Sequence, residues 1–137
     1  MTLSELQSRV VEAVRAEAWL AAAGLAVVGE DKGDPAAEVE RALGALGACV
    51  VVMVGEFRPG AQDGGVLSGV ATLLLQAVEL PATNRGEGRL SALEIASRLA
   101  AAATGWDGAK CTGLRLVDAG TDVLAYEVTV EVAAVIG

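Results

Sequence analysis

Along the first two dozen residues the apolar positions recur every three to four places. Leu3, Leu6, Val10, Ala13, Val14 and Ala18 share one side of a helical wheel, and Glu5, Ser8, Glu12 and Arg15 lie mainly on the other, the spacing of an amphipathic helix. Thr2 and Glu5 have the separation of a capping box. A helix is therefore predicted from residue 2 to about 23, with Gly24 as its stop signal. The short apolar run Leu25 to Val28 reads as a strand. Asp34-Pro35 marks a second helix start, since Asp can cap and Pro suits the first helical position. Val39, Ala42, Leu43 and Leu46 supply its apolar face, and Gly47 ends it.

The pattern then changes period. Cys49 to Val54 is continuously apolar and rich in β-branched residues, as expected of a central strand covered on both faces. Residues 55 to 65, with Gly55, Pro59, Gly60, Gly64 and Gly65, read as a loop or an extended hairpin connection. Val66 to Glu79 reads as a long strand interrupted by Gly69. Leu80 to Arg89 is a second polar loop. Ser91 and Glu94 again have capping-box spacing, and the helix they open can turn Leu90, Leu93, Ile95, Leu99 and Ala102 inward before Gly105 closes it. Trp106-Asp107-Gly108 reads as a helix-to-strand turn tethered by its Trp. The last third reads as a hairpin, Lys110 to Val117 and Leu124 onward, around a turn at Asp118 to Asp122. In its second strand Leu124, Tyr126, Val128, Val130 and Val132 face one way, and Ala125, Glu127, Thr129 and Glu131 face the other, the mark of an antiparallel strand with one wet face.

The order is α-β-α-β-β-α-β-β. It predicts a single α+β domain over residues 1–137, a two-layer arrangement with helices packed mostly on one face of a mixed or mainly antiparallel four- to five-stranded sheet. The length is ordinary for one domain. With 53% hydrophobic residues and 20% charged, disorder is excluded. Aromatics are only 3%, so Val, Leu and Ala must build the core.

Charge narrows the function. The net charge is −8 and the only lysines are Lys32 and Lys110, which argues against gripping nucleic acid by its phosphates. No apolar run is long enough to span a membrane, and charges interrupt any leader-like pattern at the start. Histidine is absent, and Cys49 and Cys111 lie far apart with no paired-thiol spacing. A zinc site is therefore not expected, buried free thiols are the default, and a reducing compartment fits.

Catalytic candidates are equally sparse. Without histidine the commonest general acid–base is missing. None of the serines lies in a nucleophile-elbow or Ser-x-x-Lys context, and the glycines at 55, 60, 64, 65 and 69 do not form a phosphate loop. Glu30-Asp31 and Asp34 lack the spacing of a calcium loop. Glu127 and Glu131, four apart on a strand, stand about 13 Å apart, too far for a glycosidase pair. No catalytic, cofactor or metal residue is assigned. Arg58, Arg85 and Arg89 lie in or beside the two glycine-rich segments, with Glu56 and Glu87 nearby. Exposed arginines of this kind are favoured interface residues, and local pairing with those glutamates is the competing explanation.

The organisation resembles the small tail-terminator or tail-completion proteins of tailed bacteriophages and prophages. The resemblance is one of layout: the buried strand ending in Val52-Met53-Val54-Gly55-Glu56, the Gly/Arg segment and long strand after it, Leu90-Ser91-Ala92-Leu93-Glu94-Ile95-Ala96 in a late helix, and the closing hairpin from Leu114-Arg115-Leu116-Val117-Asp118 to Tyr126-Glu127-Val128-Thr129-Val130. It implies no catalysis and no cofactor. It implies a homo-oligomer, commonly a ring of six, that stops growth of the tail tube and meets the head connector. Such a protein resides in the cytoplasm during assembly and then in the virion or tail-like particle, with acidic residues lining the ring to let DNA slide. The few aromatics depart from the family's style. The alternatives are a small-molecule-binding or enzymatic α+β domain, perhaps dimeric, with a pocket between helices and sheet, and a virion-neck or secretion-tube component.

Overall fold

Nine elements follow one another in the computed structural model, which describes residues 1–29 and 34–137. They are α1 (Leu3–Arg15), α2 (Ala18–Ala23), β1 (Ala26–Gly29), α3 (Pro35–Leu46), β2 (Ala48–Asp63), β3 (Val66–Glu79), α4 (Ala92–Ala103), β4 (Ala109–Ala119) and β5 (Leu124–Ile136). The strands form one sheet in the order β1-β2-β3-β5-β4. Only β1 and β2 are parallel; the other neighbours are antiparallel. The fold is α+β on a mixed sheet, as the alternation of periods predicts.

The starts of α1, α3 and α4 are chemically marked, whereas Glu17 makes no side-chain cap for α2. The Thr2 hydroxyl accepts the Glu5 N–H at 3.1 Å, the Asp34 carboxylate accepts the Ala37 N–H at 3.3 Å, and Ser91 and Glu94 complete a capping box. The helix expected over residues 2 to 23 is two helices. Glu17 is extended (ψ 121), and Arg15 reaches back to donate to the Val27 carbonyl at 3.1 Å. A continuous helix of that length would run about 30 Å; the break redirects the chain so that Leu20 is buried.

The main core lies between one face of the sheet and α1, α2 and α4. It joins Leu6, Val10 and Val14 to Val50, Val52, Leu73, Leu75, Ile95, Leu99, Val128 and Val130. Alternate residues of β2, Cys49 and Val51, point to the opposite face, where Val39, Ala42 and Leu43 of α3 cover them. An all-apolar strand needs cover on both sides, and α3 provides the second cover at the β1–β2 end. The helices therefore do not share one face. In α4 the buried stripe is Ala92, Ile95, Ala96, Leu99 and Ala103. Leu93, expected to point inward, is off that stripe and 46% exposed.

The segment 55 to 65 takes the hairpin alternative. β2 runs to Asp63, Gly64 and Gly65 make a two-residue turn with φ of 54° and 86°, and β3 starts at Val66. Both φ values are positive, as the turn best matched to strand twist requires. Bulges between Val54 and Glu56 and between Pro59 and Ala61 absorb Gly55 and Gly60, while Pro59 stays in register opposite Gly69.

Candidate functional site

The expected contact residues divide between two places. Arg58 and Glu56 lie on the distal half of β2, exposed on the face that α3 leaves open. Arg58 bonds Glu56 at 3.2 Å and Glu131 of β5 at 3.5 Å. Arg85, Glu87 and Arg89 lie in the connection from β3 to α4, also exposed. Their side chains form no ion pair among the described residues, so the local pairing expected of Glu87 is not made there. Arg58 aligns with Val70, while the 80–91 connection begins after Glu79. Nine residues of strand separate those levels, about 30 Å. The structure brings Arg58 to Glu56 and Arg85 near Arg89 in sequence, but it does not bring the two groups together.

The 80–91 connection is firmly seated. Glu79, buried at the end of β3, accepts the Asn84 side-chain amide at 2.8 Å and the Ala92 backbone N–H at 2.9 Å. Asn84 also donates to the Leu90 carbonyl at 2.8 Å. The Leu80 N–H donates to Gly47 at 2.7 Å. Gly47 itself has φ 81, and a Cβ there would come within 2.7 Å of the Asn84 nitrogen. The segment is thus clamped at its base, and the exposed Arg85 and Arg89 directly adjoin the clamped Asn84 and Leu90. Nothing in the apolar/polar period signals this clamp, although a lone carboxylate closing the run Leu73 to Leu80 is a visible oddity.

The open face of the sheet is less wet than alternation suggests. Glu127, expected to face water, is buried because Gln76 donates to it at 2.9 Å and Arg115 at 3.2 Å. Both partners sit directly opposite it on the neighbouring strands. Glu131 lies four residues on and pairs with Arg58 instead, so the two carboxylates serve separate ion pairs.

Between α1 and the far end of β3 and β5 lies an open groove of about 760 Å³, lined by Leu6, Arg9, Val10, Trp106, Asp107 and Val132 among others. Arg9 forms no ion pair among the described residues. The thiols do not meet. Cys49 is buried under α3, and burial pushes its pKa up to about 11. Cys111, half-buried rather than buried, packs against the main core on the other face, with β3 and β5 between the two strands. Among the described residues no three acidic or sulfur ligands gather as a metal site, and no helix is long and apolar enough to cross a membrane. Asp34 serves as a helix cap; Glu30 and Asp31 lie outside the described residues.

Compared with known proteins, the chain matches no protein-family model and no curated sequence.

Proposed function

We propose that this protein is a tail-terminator-like structural protein of a phage or prophage. It forms or joins a ring, of six subunits on the family's pattern, at the end of the tail tube, and links the tube to the head connector. What supports the reading is that its exposed arginines lie in two places, Arg58 within β2 and Arg85 and Arg89 in the connection after β3, which begins nine strand residues, about 30 Å, from the level of Arg58. A polar ring that touches a tube on one side and a connector on the other needs two unlike contact surfaces. Arginine suits both, because its planar fork pairs with carboxylates in two-point fashion. The net charge of −8 favours a ring that DNA passes without sticking. The protein acts in the cytoplasm during assembly and in the finished particle, with no bound cofactor and no sequence-specific nucleic acid.

The test uses purified tail tubes. Wild-type protein is expected to cap them, seen by electron microscopy and co-sedimentation, and the folded Arg58→Ala, Arg85→Ala, Arg89→Ala triple variant is expected not to. Failure of the wild type to bind any tube removes the reading. A second reading, binding of a small molecule, is favoured by the groove beside Arg9 and Trp106, whose volume falls in the range of ligand sites. Saturable binding of an apolar carboxylate, lost in Arg9→Ala, would support that reading.

A further inference from the structure

We propose that β4 is a self-pairing edge through which two copies of this chain form a dimer with a continuous sheet across both. β4 ends the sheet, bonded to β5 on one side and to no strand of the described chain on the other. Such an edge offers a row of backbone donors and acceptors to another chain. Lys110 and two bulges mark it as an edge, but the stretch between the bulges carries exposed apolar side chains. Leu114, Leu116 and Val117 are 37%, 48% and 37% exposed, three of the six large apolar side chains left open among the described residues.

Charge argues that the occupant is a second copy. The chain as a whole carries −8, so most approaches of two copies are repulsive. β4 escapes this repulsion: Arg115 is paired with Glu127 of its own chain, which leaves Lys110 and Asp118 as one charge of each sign along the edge. Its sequence is also nearly self-complementary. Lys110 and Asp118 each stand four residues from Leu114, and both share the open face of the sheet, opposite Glu131 and Ala125. Antiparallel pairing of β4 with its symmetry mate, centred on Leu114, sets Lys110 against Asp118 twice. It sets Arg115 against Gly113, where no side chain competes, and Leu114 against Leu114 on the helix side. The two bulge residues, Thr112 and Val117, fall on either side of this centre, leaving residues 113 to 116 regular where the pairing is tightest. Cross-strand pairs of this kind are what stabilise an antiparallel ladder.

The inference does not depend on the tail reading. If that reading holds, it adds a regulatory step. A two-fold axis normal to the sheet turns the copies end for end, so the dimer cannot enter a polar ring intact, and the β4 edges must part when a tube is met.

The experiment is mass in solution, by sedimentation or light scattering, with no tube present. Wild type is expected to be a dimer. Leu116→Lys, a change at an exposed site, is expected to be a monomer with an unchanged circular dichroism spectrum and a melting midpoint that no longer rises with protein concentration. Lys110→Asp alone and Asp118→Lys alone are expected to lose the dimer, and the double exchange is expected to regain it. In a Cys111→Ser background, Leu114→Cys is expected to oxidise to a disulfide-linked pair and nothing larger. A wild type that stays monomeric at every concentration overturns the proposal. So does an oligomer indifferent to the Lys110/Asp118 exchange, or one that Leu114→Cys fails to cross-link.

Discussion

The Glu79 carboxylate accepts the backbone N–H of Ala92, thirteen residues away, at 2.9 Å. Ala92 is the first residue of α4, so the end of one strand caps the start of the next helix. The other oxygen holds Asn84. A carboxylate at a helix start satisfies an orphan N–H and sits favourably with the helix dipole.

Glu79→Ala is expected to cost about 2–3 kcal/mol in urea unfolding, because it strands the Ala92 N–H and the Asn84 amide in buried surroundings. Glu79→Gln should cost about 1–2 kcal/mol: it keeps one acceptor but sets two amide donors against each other. Equal stability of both variants and wild type would show that the clamp contributes nothing.

Gly69 faces Pro59 across the hairpin, and a Cβ on it would run into the Arg58 carbonyl and the Pro59 backbone. Backbone cannot step aside as a flexible side chain can. Gly69→Ala is expected to destabilise by about 2–3 kcal/mol. Gly113→Ala, on β4 with nothing within 4 Å of the added carbon, should stay within about 0.5 kcal/mol of wild type.

Burial raises the Cys49 pKa from 9.0 to about 11. Below pH 9 the thiol is neutral in both folded and unfolded chains, so its full contribution to stability is present. As pH rises from 9 toward 11 the unfolded chain ionises first, and stability falls by about 2–3 kcal/mol. Unfolding measured from pH 8 to 11 should show this slope in wild type and a shallower one in Cys49→Ala. At pH 8 a thiol reagent should modify Cys111 in the folded protein and reach Cys49 only on unfolding.

Much of this fold is legible in the sequence because period and punctuation agree. Thr2, Asp34 and Ser91 cap where their spacing says they should, and Cys49 to Val54 is covered on both faces, as an uninterrupted apolar run must be. The misreadings come from relations between distant residues. Gly55, Pro59 and Gly60 look like loop because their composition is that of turns; only pairing with Thr72 to Ser68 makes them a bulged strand. Glu127 looks solvated because alternation sees one strand, and its burial depends on Gln76 and Arg115 from two others. The clamp at Glu79 and the open edge at β4 are properties of sheet order, which no local pattern carries.

Sheet order also decides how the arginines should be tested. Arg58 is tied within its own chain; it and Glu56 are well exposed and Glu131 is half-buried. Exposed pairs are worth little, so Arg58→Ala should change stability by less than about 1 kcal/mol. Arg85 and Arg89 have no such partners among the described residues, so Arg85→Ala with Arg89→Ala should be neutral to folding as well. Any effect of either variant on docking is then an effect on the contact itself. Because the two groups stand at different levels of the sheet, the proposed ring presents them to different neighbours. One variant is therefore expected to leave tubes uncapped and overlong, measured as tube length by electron microscopy. The other is expected to cap tubes of normal length that fail to join heads, measured as the fraction of joined particles. If both variants show the same defect, the two surfaces meet the same neighbour, and the assignment of one to the tube and one to the connector is wrong.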